Sequence, residues 1–437
     1  MSLFTRFSRA GALAASKSRS YATAAVADAA GVKVAGVERG APPGTVNLTV
    51  VVKAGSRYET TPGVAHALKN FAFKTTSKGS ALKIARETEL YGGVLSAGLS
   101  REHIFLTAEF LRGDEAHFLS LLASVLSSTQ YYPHEYTELV LPTIETESRS
   151  ALSTPAINAL DVAHSLAFRR GLGNSLFAQQ HNPVSAADVK AYATQAYAKS
   201  NIAVLGGGIS TEALSSAVQQ AFGSGSGGSS LSSGATQYFG GESRIAIDTH
   251  ANPDARQTLT IAFGKTGDAS ADLRVLPHLV GGASSIKWGV GTSPLAVIAD
   301  KVPGAEIKAD LLPYSDAALF TVTVSAPSAE GVKTLAKEVV AAVKEAGSAK
   351  EEDVKKAIAK AKVADASRFE NTAGLLTVAA PGLFKGDIPS LDSTFASLDN
   401  VSASSFGKAA SELFKAKPTV VAVGDLAVLP YADEIGL

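Results

Sequence analysis

Gly223-Ser-Gly-Ser-Gly-Gly-Ser-Ser-Leu-Ser-Ser-Gly234 lies near the middle of a 437-residue chain. Gly and Ser give a segment little local preference, so the stretch reads as a linker. It formally contains GxGxxG at Gly223, Gly225 and Gly228. A dinucleotide loop would need a strand before it and a helix after it. Here a helical stretch ending near Phe222 precedes it and more Ser and Gly follow.

The two sides of this linker read alike. Each opens with an apolar strand, Val46-Asn-Leu-Thr-Val-Val-Val-Lys53 and Gln257-Thr-Leu-Thr-Ile-Ala-Phe-Gly264. A helical stretch with one histidine follows, carrying His66 or His278. Strand pairs are then expected over 94–111 and 307–325. Charged, Ala/Leu-rich helices are expected over 114–127, 134–152, 328–346 and 349–369. Each side ends on a Ser-started helix and a strand, with Ser185 and Ser402 as N-caps whose hydroxyls can accept from an orphan helix amide. The offset between the copies grows from 211 at the first strand to 218 at the last, as duplication with small insertions would give. The expected fold is α+β, two homologous halves, each a mainly antiparallel sheet covered by helices on one face. The expected boundaries are a leader at 1–21, a first domain at 22–222, the linker at 223–242 and a second domain at 243–437.

Composition removes whole classes of function. The 40 basic and 40 acidic side chains cancel, which argues against a nucleic-acid binder working through a basic surface. There is no cysteine, so disulfides, thiolate zinc sites, cysteine nucleophiles and iron–sulfur ligation are excluded. The histidines stand at 66, 103, 117, 134, 164, 181, 250 and 278, too far apart for an intact HExxH. No apolar run approaches the ~20 residues of a membrane-spanning helix. The richest, Ala373 to Phe384, is short and interrupted by Pro381 and Gly382. Gly264-Lys265-Thr266 lacks the earlier glycine of a phosphate-binding loop, since position 259 is Leu259. The charges between Glu330 and Glu370 read as the solvated side of helices with an apolar stripe at Val332, Leu335, Val339, Val340 and Val343.

Residues 1–21 contain Arg6, Arg9, Lys17 and Arg19, no acid and many Ser and Ala, with Leu3, Phe4 and Phe7 as an apolar stripe. That is the composition of a mitochondrial transit peptide. The remainder carries a net charge of −4 once those four cations are removed.

The most informative segment is Gly63-Val-Ala-His66-Ala-Leu-Lys69-Asn70-Phe71-Ala-Phe73. It resembles the metal-binding helix of the pitrilysin/insulinase metallopeptidases, the family that includes the mitochondrial processing peptidase. There His-x-x-Glu-His supplies two zinc ligands and a general base, and a Glu 77 residues beyond the second His completes the metal shell. In this frame His66 matches the first ligand, Lys69 replaces the base, Asn70 replaces the second His, and Glu147 stands at the downstream position. Ala163-His164-Ser-Leu-Ala-Phe168 and Gly171-Leu-Gly173 resemble the family's stretch after the third ligand.

The resemblance implies a peptidase fold without peptidase chemistry. Catalytic zinc needs three protein ligands and an open position, so no catalytic residue, metal or cofactor is expected, and His66 is expected to be a packed histidine. The altered motif and the C-terminal segment 421–437 resemble the core-protein branch of the family, found in the cytochrome b-c1 complex. That branch implies a non-catalytic subunit on the matrix side of the inner membrane. Its partners would be core protein 1, cytochrome b, cytochrome c1, the Rieske iron-sulfur protein and the small subunits of a dimeric respiratory complex III. A presequence-binding alpha subunit of the processing peptidase is the alternative. Gly281-Gly-Ala-Ser-Ser-Ile-Lys-Trp-Gly-Val-Gly291 is less glycine-dense than the loop of that subunit. A zinc peptidase with unconventional ligands is a further, enzymatic rival.

Overall fold

The structure, a computed structural model, describes residues 25–37, 44–179, 183–223, 228–247, 255–282 and 291–437. The expected leader, His181, His250 and most of the glycine-containing loop at 281–291 lie outside the described residues.

The first half runs β1 (Ala27–Ala29), β2 (Val32–Val37), β3 (Thr45–Val52), α1 (Val64–Asn70), α2 (Ala81–Leu90), β4 (Val94–Leu99) and β5 (Ile104–Leu111). It continues through α3 (Glu115–Ser128), α4 (Pro133–Glu135), α5 (Leu141–Ser153), α6 (Pro155–Phe168), α7 (Ala186–Ala196), β6 (Ile202–Gly207) and α8 (Thr211–Phe222). The second half runs β7 (Gly241–Ala246), β8 (Gln257–Thr266), α9 (Ala271–Val280), α10 (Pro294–Ala299), β9 (Glu306–Pro313) and β10 (Ala317–Ala326). Then come α11 (Ala329–Glu345), α12 (Glu351–Glu370), α13 (Thr372–Lys385), α14 (Leu391–Asp399), α15 (Ala403–Leu413) and β11 (Thr419–Gly424).

The strand orders are β1-β2-β6-β3-β5-β4 and β7-β11-β8-β10-β9. Apart from β1 the two orders correspond strand for strand. Each sheet has one parallel pair, β2/β6 or β7/β11, and is otherwise antiparallel. The duplication reaches single side chains: Thr49 pairs with Thr107 and Thr260 with Thr323, with hydroxyl contacts of 2.9 and 3.2 Å. Ser185 and Ser402 both cap their helices in reciprocal capping boxes, as expected.

Inside each half the helices lie on one face of the sheet. Val46, Leu48, Val50 and Val52 of β3 bury against α1, α3, α7 and α8. The same strand is also buried on its other face, where Val51, with Ala35 and Leu205, meets Leu375, Ala379, Ala380 and Leu383 of α13 from the second half. In return α6 of the first half covers β8 and β11, through Ala159 and Ala163 on Val421 and Val423 and through Ala167 and Phe168 on Ala262 and Leu319. Each half thus lends one helix to the other's sheet. This explains why β3 reads as a continuous apolar run rather than an alternating one.

Helices α2, α6, α10 and α14 are additions to the sequence reading, and three further features differ from it. Strands β2 and β7 were not anticipated; each is a six-residue strand held mainly by its parallel partner. Helix α13 continues through Pro381 and Gly382 to Lys385, because packing of Ala379, Ala380 and Leu383 outweighs the proline's lost bond. Residues 224–227 of the Gly/Ser connector lie outside the described residues, and its described part, from 228 on, is anchored. Leu231 N–H donates to Asn201 Oδ1 at 2.8 Å, Phe239 N–H to the Ala167 carbonyl at 2.9 Å, and Tyr238 OH to the Lys417 carbonyl at 2.7 Å. Among the described residues no helix is long and apolar enough to cross a membrane.

Candidate functional site

Helix α1 starts at Gly63, whose φ of 87° falls in the left-handed region that favours glycine. A side chain there would also collide with Ala178, whose Cβ would stand 2.6 Å from the new Cβ. The close approach has a consequence for the site. It brings Ala178 N–H to His66 Nδ1 at 3.1 Å. With Nδ1 accepting, the proton is on Nε2, which donates to Glu147 Oε2 at 2.6 Å. The histidine tautomer is thereby fixed by backbone geometry.

One helical turn on, Lys69 Nζ lies 2.7 and 2.8 Å from the two oxygens of Glu147. Asn70 Nδ2 donates to Oε2 of the same carboxylate at 2.9 Å and to the His66 carbonyl at 3.3 Å. Glu147 projects from α5, which packs beside α1. The four positions singled out from the motif therefore meet at one carboxylate. His66 is buried, with Glu147 as its polar partner.

Electrostatics follow from that geometry. Partial burial raises the Glu147 pKa, but donors from Lys69, Asn70 and His66 outweigh it and hold the acid at about 2. Burial, together with the Lys69 charge, pushes His66 below its ordinary value against the opposing pull of Glu147. At neutral pH the cluster is a carboxylate neutralised by one ammonium, beside a neutral imidazole. A carboxylate held at about 2 is a poor proton acceptor for a water molecule.

The second expected segment occupies a different place. His164 on α6 donates from Nδ1 to the Leu160 carbonyl at 2.7 Å, and its Nε2 accepts from Tyr314 OH of the second half at 2.6 Å. Burial pushes His164 well below its ordinary value, with the Arg101 charge acting in the same direction. Burial likewise raises Tyr314 to about 12. This segment lies at the junction of the halves, apart from the Glu147 cluster.

Sequence reasoning missed a set of buried ions nearby. Arg57 donates to Glu102 at 2.9 Å and, through both terminal nitrogens, to Asp316 at 2.7 Å each. Arg101 pairs with Asp161 at 2.7 Å and also donates to the carbonyls of Leu172 and Asn174. No local motif marks these residues; the only signal is charge placed beside strand ends.

Comparison with known proteins gives a consistent result. The family model for insulinase (peptidase family M16) matches residues 37–180. Cytochrome b-c1 complex subunit 2 of Cryptococcus neoformans var. grubii is 56% identical over 99% of this chain and 99% of its own. The protein of the same name from Neurospora crassa is 41% identical over 98% and 93%, and that from Yarrowia lipolytica 38% over 94% and 96%. A chain of Complex III2 from Candida albicans, Inz-5 bound, superimposes with a TM-score of 0.79 at 18% identity, over 94% of this chain and 98% of that one. The chain belongs to the cytochrome b-c1 complex subunit 2 family, on an insulinase-type peptidase fold.

Proposed function

We propose that the chain is a non-catalytic structural and assembly subunit of mitochondrial ubiquinol–cytochrome c reductase, held on the matrix side of the inner membrane by its partner subunits. The identity of 56% over nearly the full length of a cytochrome b-c1 complex subunit 2 carries this reading. Core protein 1, cytochrome b, cytochrome c1 and the Rieske protein are the partners the assembly implies. Electron transfer belongs to the whole complex, and this chain supplies scaffold. Its domain division follows the duplication, 22–222 and 243–437 about the connector at 223–242, behind a leader at 1–21.

The scaffold reading includes loss of peptidase chemistry, supported by the cluster at Glu147. Those residues do not fit a zinc ion. The Lys69 ammonium lies 2.7 Å from the carboxylate that would face the metal. At about 4 Å and an effective dielectric near 20, its repulsion of a divalent ion is roughly 8 kcal/mol. His66 Nδ1 accepts from a backbone amide and Nε2–H donates to Glu147, so neither nitrogen offers a free lone pair. Asn70 is an amide where a second imidazole would be needed.

Metal content and peptide hydrolysis of the purified chain test this part. Neither stoichiometric zinc nor cleavage is expected. Stoichiometric zinc released by a Glu147→Gln or His66→Ala change would place a metal in the cluster and overturn it.

A further inference from the structure

The two halves touch through apolar helix-on-sheet contacts. On α6 the contact is made by Ala159, Ala163, Ala167 and Phe168, and on α13 by Leu375, Ala379, Ala380 and Leu383, against strand residues that include Ala35, Val51, Leu205, Ala262, Leu319 and Val421. Apolar burial is non-directional, whereas charged hydrogen bonds fix distance and angle.

One turn in the second half behaves differently. Tyr314, Ser315 and Asp316 connect β9 to β10, and each of the three bonds to the first half or the connector. Tyr314 OH donates to His164 at 2.6 Å. Ser315 N–H donates to Glu102 at 3.1 and 3.3 Å, and its hydroxyl donates to Glu102 at 2.5 Å. Asp316 takes Arg57 through both oxygens, and Thr236 donates to it from Oγ1 at 2.9 Å and from its backbone N–H at 3.1 Å. The counterpart turn in the first half joins β4 to β5 and carries Glu102. Glu102 and Ser315 are separated by 213 residues, within the offset of the duplication, so equivalent turns of the two copies meet each other.

We propose that the Tyr314–Asp316 turn is a register key, seated in a socket of Arg57, Glu102, His164 and Thr236, that fixes the angle between the halves. The exchanged helices supply the burial that holds the halves together, and the key adds the directional bonds that fix their angle. A buried arginine bonded bidentately on one side and to a second carboxylate on the other tolerates little displacement. Its side chain is 5% exposed, so water cannot replace a lost partner.

The absence of cysteine in the sequence makes a direct test possible. Cysteines introduced at exposed Lys83 in α2 and Lys355 in α12 of the full chain accept nitroxide labels. Double electron–electron resonance then reads the spread of distances between the halves. The expected result is one narrow population in the parent chain. It should shift to a broad or multiple distribution in Arg57→Met/Glu102→Gln/Asp316→Asn, which removes the three charges together and leaves none unpaired. If that variant does not fold, Asp316→Asn alone is measured the same way, since this side chain lies at the edge of the cluster at 34% exposure. A parent distribution already broad, or one left equally narrow in a folded variant, would overturn the proposal.

Discussion

Replacement of Glu147 by Gln probes the cluster on α1 most directly. In the folded chain the acid sits at about 2 against an ordinary value of 4.5. Were the group fully buried, that difference at 1.36 kcal/mol per unit would correspond to roughly 3 kcal/mol of stability at neutral pH. The side chain is 37% exposed, so screening by solvent reduces the expectation to about 1–2 kcal/mol. The sign is set by the direction of the shift. A depressed carboxylate stabilises the fold fully above its unfolded value, and the contribution fades as pH falls from 4.5 towards 2. The variant should therefore unfold at lower urea than the parent at pH 7, with the gap narrowing as the buffer approaches pH 3. Urea unfolding of the purified chain at several pH values, followed by circular dichroism, provides the assay. Equal midpoints at pH 7, or a gap that does not close on acidification, would refute the reasoning. Adding Lys69→Met to the Gln variant should cost little, because the ammonium has already lost its partner.

Two further outcomes are expected. Leu383→Ala on α13, at a site with no exposure, should cost about 2–5 kcal/mol even though it lies on a helix borrowed from the other half; an unchanged denaturation midpoint would contradict the helix exchange. His66→Ala should leave quinol–cytochrome c turnover per assembled complex unchanged while lowering the stability of the chain, and lost turnover at normal complex abundance would show that the cluster acts in catalysis.

What could be read in advance divides along physical lines. Strands β3 and β8, the apolar stripe of α11 and the caps at Ser185 and Ser402 depend on local pattern, and they form as expected. The motif frame led from His66 through Lys69 and Asn70 to Glu147, and those four side chains do meet. Their hydrogen-bonded arrangement was not legible, because the tautomer of His66 depends on a backbone amide 112 residues away. Strands β2 and β7 escaped because each is short and stabilised by a parallel neighbour distant in sequence. Helix α13 escaped because its apolar face has meaning only against a sheet from the other half. The Arg57 socket is the extreme case: a single arginine, with its partners in Asp316 and Ser315 about 260 residues away, has no local signature.

Membership of a respiratory assembly can be read from a native gel of detergent-solubilised mitochondrial membranes, probed for this chain. One high-mass band is expected, in which the chain comigrates with b- and c-type hemes. Migration as a heme-free soluble heterodimer with an intact His-x-x-Glu-His partner would contradict it and identify a processing-peptidase subunit instead.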